Sequence, residues 1–361
     1  MKIGILTLPP SFNYGNILQA WALQTVLERM GNKVQLITIQ KELPPRWVMI
    51  LKYCKRLFYK YLRGESNRVI FEEKTWEFRL QHTLRFVNQN IHIHEYESYS
   101  SIQQDEYDGF VVGSDQIWRK RYNPDIRNCY LSFTFGWDVK RVSYAASFGT
   151  HIWEYTQEET KDCGKMLKIF NGVSVREKDG LSKIKDFFGM EGVHVLDPTL
   201  LLEKSDYLKL LESANVSKSP GDLLCYLLSD NELNRERVSQ ISSEYGLTPF
   251  NVTSRFDEPN APMSERIQPS VENWLRGFLD AKLIATDSFH ATVFSIIFNK
   301  PFILFDTGKR GNERLTSLLE LAGFDMTGGI FNKIFKVEER NIAMIESLKK
   351  QSLDFLRDSL S

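Results

Sequence analysis

The chain of 361 residues carries 46 Lys and Arg against 46 Asp and Glu, so its formal net charge is zero and the global electrostatic case for a nucleic-acid partner disappears. Its length exceeds what one hydrophobic core organises, which makes two domains the default. Cys54, Cys129, Cys163 and Cys225 are too widely spaced for a CxxC redox or zinc motif, no apolar run approaches the roughly 18 residues of a membrane span, and the first residues do not read as a signal peptide. A cytoplasmic, reducing setting is the expectation.

Residues 2–8 form a short apolar run that ends in Pro9-Pro-Ser-Phe-Asn-Tyr-Gly-Asn16. Helical periodicity follows at Leu18, Trp21, Ala22, Leu27 and Met30, stops at Gly31-Asn32, and gives way to a strand over 33–39. Further strand signals at 107–113, 141–146, 172–175 and 193–196, spaced by helix-length segments, predict a parallel, doubly wound α/β sheet. A polar stretch over 203–221 reads as the domain crossing. A second alternating series then runs through strands at 222–228 and 249–253, a helix over 232–245 and a strand-turn-helix-strand unit over 281–305. The expected organisation is two Rossmann-like domains facing a cleft: 1–205 with an insertion at 44–90, then 206–334. A helix over 335–361 is expected to pack back across both.

The insertion opens with an unusual segment. Between Arg46 and Arg63 lie six basic residues and no acid, with Trp47, Ile50, Leu51, Cys54, Phe58 and Tyr61 at helical spacing. One reading is a helix that packs its apolar face on the core and shows a basic face to water. The other is a patch for anionic lipid headgroups or a lipid-diphosphate acceptor, with peripheral contact at the inner face of the membrane.

Four apolar strands end in polar or glycine-bearing loops: Asn13-Tyr-Gly-Asn16, Gly113-Ser-Asp-Gln-Ile-Trp118, Ser143-Tyr-Ala-Ala-Ser-Phe-Gly149 and Asp287-Ser-Phe-His290. In an open α/β sheet such loops share the carboxyl edge, where ligands bind. Gly15 would let backbone approach a ligand or an opposing domain; Asn13 and Asn16 could bond a ligand, or Asn16 could merely cap the helix. Asp115 could act as a base or cap its turn. The strand-to-helix turn at His290 offers backbone N–H groups to an anion, and the histidine itself could be catalytic or packed in the core. Arg176 could anchor an anion bidentately or serve a salt bridge; Lys309 and Arg310, in the loop after strand 302–305, could face the same anion or solvent. His92 and His94 have no partners at metal spacing, so no metal site is expected. No G-x-G-x-x-G after a strand, P-loop or G-x-S-x-G turn occurs.

These segments, together with Gln19-Ala20, Val112, Ser174-Val-Arg-Glu177, Asp197-Pro-Thr199 and Asn299-Lys-Pro-Phe302, resemble the polysaccharide pyruvyl transferase family over most of the chain. The resemblance implies a fold similar to two-domain GT-B glycosyltransferases and transfer of a pyruvyl group from phosphoenolpyruvate to a sugar, releasing phosphate, with no metal or organic cofactor. By position, His290 matches the family's donor-contacting histidine, Arg176 its strand-end arginine, and Lys309-Arg310 its basic donor-binding residue. Ser288 stands where some members carry arginine and Asn16 where many carry aspartate. The expected donor set is therefore Arg176, Ser288, His290, Lys309 and Arg310, with His290 catalytic and Asp115 or Asp287 as base. The expected acceptor set is Asn13, Tyr14, Gly15, Asn16, Ser114, Gln116 and Trp118, holding a saccharide that the sharper reading of 46–63 makes lipid-linked. Two alternatives stay open: glycosyl transfer from a nucleotide sugar on the same architecture, and a catalytically silent saccharide-binding relative.

Overall fold

A computed structural model describes residues 1–40, 44–229, 231–306 and 312–361. The first lobe runs β1 (Lys2–Leu6), α1 (Tyr14–Arg29), β2 (Lys33–Ile39), α2 (Arg46–Leu62), α3 (Trp76–Asn90), β3 (Ile93–Tyr96), β4 (Gly109–Val112), β5 (Lys140–Ala146), α4 (Gln157–Leu167), β6 (Gly172–Val175), α5 (Lys178–Phe188) and β7 (Val193–His194). Its strands pair in parallel in the order β3-β2-β1-β4-β5-β6-β7. The central strands β1, β4 and β5 are almost wholly buried; β4 accordingly reads as an unbroken apolar run, while β5 keeps Arg141 and Ser143 inside, where they donate to backbone carbonyls. Gly31 takes φ +87°, a left-handed conformation that suits glycine, and the Asn32 N–H bonds back to the Leu27 carbonyl to end α1.

The second lobe contains α6 (Lys204–Ala214), β8 (Leu223–Tyr226), α7 (Glu232–Tyr245), β9 (Pro249–Phe250), α8 (Val271–Asp280), β10 (Leu283–Thr286), α9 (Phe289–Ile297), β11 (Phe302–Leu304), α10 (Asn312–Leu321) and β12 (Ile334–Phe335), with α11 (Glu339–Leu360) closing the chain. The sheet order is β12-β11-β10-β8-β9, parallel except where β12 runs against β11. Strand β9 is shorter than the 249–253 read from the sequence. Beyond Phe250 the chain turns to the first lobe instead: the Phe256 carbonyl accepts from Arg79 Nη1 of α3 at 3.2 Å.

In the first sheet the strand order reverses between β1 and β4, and in the second between β8 and β10. Loops that leave a parallel sheet in opposite directions open a crevice at such a switch point. Here the two crevices face one another. Helix α1 lies in the seam, and the hydrophobic core continues through it from one lobe to the other. Tyr14 stacks on Trp274, centroids 5.4 Å apart, and donates to the Pro269 carbonyl at 2.8 Å. Helix α11 touches both lobes: Asn341 Nδ2 donates to the Ala322 carbonyl, and Ser352 Oγ accepts the Leu196 N–H at 3.1 Å.

The reading of residues 46–63 as a core-packed helix is overturned. Helix α2 has no buried residue, and its apolar stripe points away from the body. Arg56, from the basic set, turns inward and pairs with Glu73 at 2.7 Å. Among the described residues no helix is long and apolar enough to cross a membrane.

Candidate functional site

A cleft of about 310 Å³ lies where the two switch points meet. The loop after β1 gives it Asn13 and Gly15; the loop after β4 gives Asp115, Gln116, Arg119 and Tyr122; the end of β8 gives Tyr226, Leu228 and Ser229; the β10 turn gives Asp287 to His290; α10 gives Arg314. All arise at carboxyl ends of strands or at helix starts, as the sheet topology requires.

The β10 turn is tightly specified. Thr286 Oγ1 donates to the Tyr226 carbonyl at 2.7 Å and accepts the Ser288 N–H at 3.0 Å, and Ser288 caps α9 by accepting from the Ala291 N–H. The positive end of α9 therefore opens on the cleft. His290 is the second residue of this helix. A Cβ placed on Gly15 would sit 2.1 Å from His290 Nδ1, so only glycine permits the first turn of α1 to lie against the imidazole. On its other side His290 Nε2 stands 3.6 Å from Asp197 Oδ2, beyond hydrogen-bond length.

Asp197 anchors a buried polar cluster behind the cleft. Its Oδ1 accepts from the Thr199 hydroxyl at 2.7 Å and amide at 3.0 Å, and its Oδ2 from Arg176 Nη1 at 3.0 Å. Burial pushes the Asp197 carboxyl up, but His290, Arg176 and Thr199 overcome it and hold the carboxyl well below the usual carboxylate range. Arg176 also reaches Asp115 Oδ1 at 3.4 Å, lies 3.9 Å from Glu177 Oε2 and stacks over the Phe289 ring at 4.4 Å. Burial alone would lower its pKa, yet Asp197, Asp115 and Glu177 together raise it. This guanidinium faces three carboxylates, with its Nε left without a hydrogen bond, and does not line the cleft. The assignment of Arg176 to the donor set is corrected accordingly: it is held one layer behind.

Other expectations are corrected by burial. Trp118 is sealed inside, stacked on Tyr130 at 4.8 Å with Nε1 on the Cys129 carbonyl. Tyr14 is committed to the seam. Ser114 is buried, its hydroxyl 3.3 Å from Asp197 Oδ2. Asn16 turns its amide to the Leu8 carbonyl, and it is Asn13, not Asn16, that caps α1, accepting the Asn16 N–H at 3.1 Å. Asp287 lines the cleft, but its two oxygens accept the Leu228 N–H at 2.6 Å and the Ser229 N–H at 2.9 Å, which ties the loop after β8 to the β10 turn. Both carboxylate oxygens are thus already engaged by backbone. Asp115 lines the cleft at φ +55°, a left-handed conformation that Asp tolerates better than most residues. Asn13, Gly15, Gln116, Ser288 and His290 also face the cleft. Lys309 and Arg310 lie outside the described residues.

Two cations were missed. Arg119 lines the cleft beside Tyr122, donating from Nη1 to Gln116 Oε1 at 2.8 Å. Arg314, in the first turn of α10, has no hydrogen-bond or ion-pair partner among the described residues, and its Nε is buried without one. Burial first, and then repulsion from Arg176, lower its pKa. A guanidinium desolvated without a partner is costly unless an anion joins it. His92 and His94 are employed elsewhere: His92 Nδ1 is 3.0 Å from Glu28 Oε1, and His94 stacks on Tyr96. Among the described residues no group of three His, Cys, Asp or Glu is placed to hold a metal ion.

Two mostly parallel sheets with facing switch points and an anion-suited cleft between them define a GT-B-like architecture. Consistent with that fold, a UDP-GlcNAc 2-epimerase from Neisseria meningitidis bound to UDP-GlcNAc superposes with a TM-score of 0.50 at 9% identity, covering 100% of this chain and 93% of its own. A glycosyltransferase from Rickettsia africae gives 0.49 at 10% identity over 100% and 94%. No match was found among curated proteins. Residues 13–309 match the polysaccharide pyruvyl transferase family, and the chain belongs to that family of transferases.

Proposed function

We propose that this protein transfers the pyruvyl group of phosphoenolpyruvate to a saccharide of a surface polysaccharide, forming a cyclic ketal. The observation that carries the reading is Arg314: a cation without a hydrogen-bond or ion-pair partner among the described residues, in the same cleft as His290, Arg119 and the positive end of α9. A small donor bearing phosphate and carboxylate supplies the charge this set lacks.

In this reading a sugar hydroxyl attacks C2 of the donor, giving its proton to Asp115, while C3 takes a proton from His290 and becomes a methyl group. Phosphate then departs with the electrons of its bond to C2, assisted by Arg314 and Arg119. A second hydroxyl closes the ring on C2. Asp115 hands its proton to the departing phosphate and the second hydroxyl's proton restores His290, so the balance closes without a metal or organic cofactor. Asp197, behind His290, holds the imidazole in place. Asn13 and Gln116 face the acceptor, which a lipid carrier would present from outside the cleft.

A groove of about 930 Å³ adjoins the cleft and shares Asn13, Tyr226 and Leu228 with it, which favours a second reading in which a nucleotide sugar is the donor. A thermal-shift screen separates the two, because a ligand bound only by the folded form raises the melting temperature. Phosphoenolpyruvate is expected to stabilise the protein, and UDP and GDP are not. Phosphate release should then require both phosphoenolpyruvate and a sugar, and should vanish in His290→Ala. Stabilisation by a nucleoside diphosphate alone, with turnover of a nucleotide sugar, would replace the first reading by the second. Turnover of neither donor would leave only a binding protein.

A further inference from the structure

We propose that the outward face of α2 seats the protein on an anionic lipid surface. Trp47, Ile50, Leu51, Cys54, Leu57, Phe58, Tyr61 and Leu62 recur at the three- and four-residue steps of one helical face, and every one of them is exposed. Trp47 is 65%, Tyr61 71% and Leu62 74% exposed. A continuous stripe of this size on one helix is not the scattered exposure of an ordinary surface; it marks a contact surface.

The charges say what the contact is. Arg46, Lys52, Lys55, Lys60 and Arg63 accompany the stripe, no acid lies between 46 and 63, and the one remaining cation, Arg56, is spent inward on Glu73 and the Ile70 carbonyl. At 3.6 residues per turn Lys55 and Arg46 flank the apolar arc on its two sides. An apolar stripe edged by cations matches a plane that is apolar below and anionic at its surface, as an interfacial helix requires. A second copy of this chain fits worse. It would bring two all-basic helices face to face, although the chain as a whole is neutral.

The helix is mounted rigidly enough to serve. Tyr53 packs against Phe71, centroids 4.8 Å apart, and Glu72, which follows Phe71, accepts from Arg266 of the second lobe at 2.6 Å. The platform beneath α2 thus touches both lobes, and α2 itself presents about 25 Å of helix, at 1.5 Å per residue, to whatever it meets. This inference does not depend on the identity of the donor.

The test is co-sedimentation of the full chain with vesicles of phosphatidylcholine alone and of an equimolar mixture with phosphatidylglycerol, with no sugar or phosphoenolpyruvate present. Binding is expected to the mixed vesicles, at least about tenfold above the neutral ones, and to weaken with salt. The triple variant Ile50→Ser, Leu51→Ser, Phe58→Ser removes exposed side chains only and should remain folded, checked by its melting temperature, while losing binding. Lys52→Glu with Lys55→Glu keeps the apolar stripe and should lower binding by roughly fivefold or more per charge. Equal binding to both vesicle types, no binding to either, or binding that the triple variant retains would each overturn the proposal. So would light scattering showing a dimer that the triple variant dissolves, since the stripe would then be a protein interface.

Discussion

Arg176 and Arg314 stand on opposite sides of one seam and are held in opposite ways. Arg176, on the first lobe, is surrounded by Asp197, Asp115 and Glu177, and these carboxylates outweigh its burial. Arg314, on the second lobe, is pressed against the same cluster but forms no hydrogen bond or ion pair among the described residues; Glu177 and Asp115 offset its burial only in part, and its pKa stays lowered. The two side chains are chemically identical. What separates them among the described residues is the number of partners: the first is paired within the lobe that holds it, and the second stays open to a partner in the cleft.

The contrast can be broken by measurement. Arg176→Met leaves three buried carboxylates facing one another and should cost about 3–5 kcal/mol in chemical unfolding, whereas Arg314→Met should change stability by no more than about 0.5 kcal/mol. Equal losses would abolish the distinction. Arg314→Met should instead weaken stabilisation by phosphoenolpyruvate on the order of 10–100-fold in affinity, the worth of a charged hydrogen bond, and an unchanged midpoint would remove Arg314 from the site. Gly15→Ala, which forces a methyl into the His290 ring, should lower stability by about 1–3 kcal/mol and activity with it; a fully stable, fully active variant would show that the seam relaxes freely.

The smallest effect lies in acid. Because the folded state depresses the pKa of Asp197, its contribution is fully present above the unfolded value of about 4 and is lost as pH falls through the folded value. Asp197→Asn should therefore flatten the fall in stability below about pH 4 relative to the parent. An acid limb of unchanged slope would assign that fall to other carboxylates.

The sheet architecture was legible because β1, β4 and β10 are short, mainly apolar runs followed by loops that carry Asn13, Gly113 and Asp287, and strand burial on both faces writes that pattern directly. The cleft was legible as a set of loops but not as a set of side chains. Polar motifs carry inward-facing members, so Tyr14 and Trp118 looked like ligand contacts while serving the core, and for Arg176 the choice between anion anchor and salt bridge stayed open because its partners lie elsewhere in the sequence at Asp115 and Asp197. Arg119 sits one residue past the Trp118 motif, and Arg314 within the segment that drew notice for Lys309 and Arg310; the helical phase that turns Arg314 inward begins at Asn312 and is not announced by the loop before it. For α2 the pattern showed two unlike faces. Which of them the body covers depends on Glu73 and Phe71, and no periodicity within the helix records that choice.

Where Gly15 meets His290, the lobes already touch with no room for one more carbon atom. They cannot draw nearer at that point. Arg119 and Arg314 stand on the two sides of the crevice beyond it, so the spacing between these cations is bounded by a contact that one added methyl would push apart.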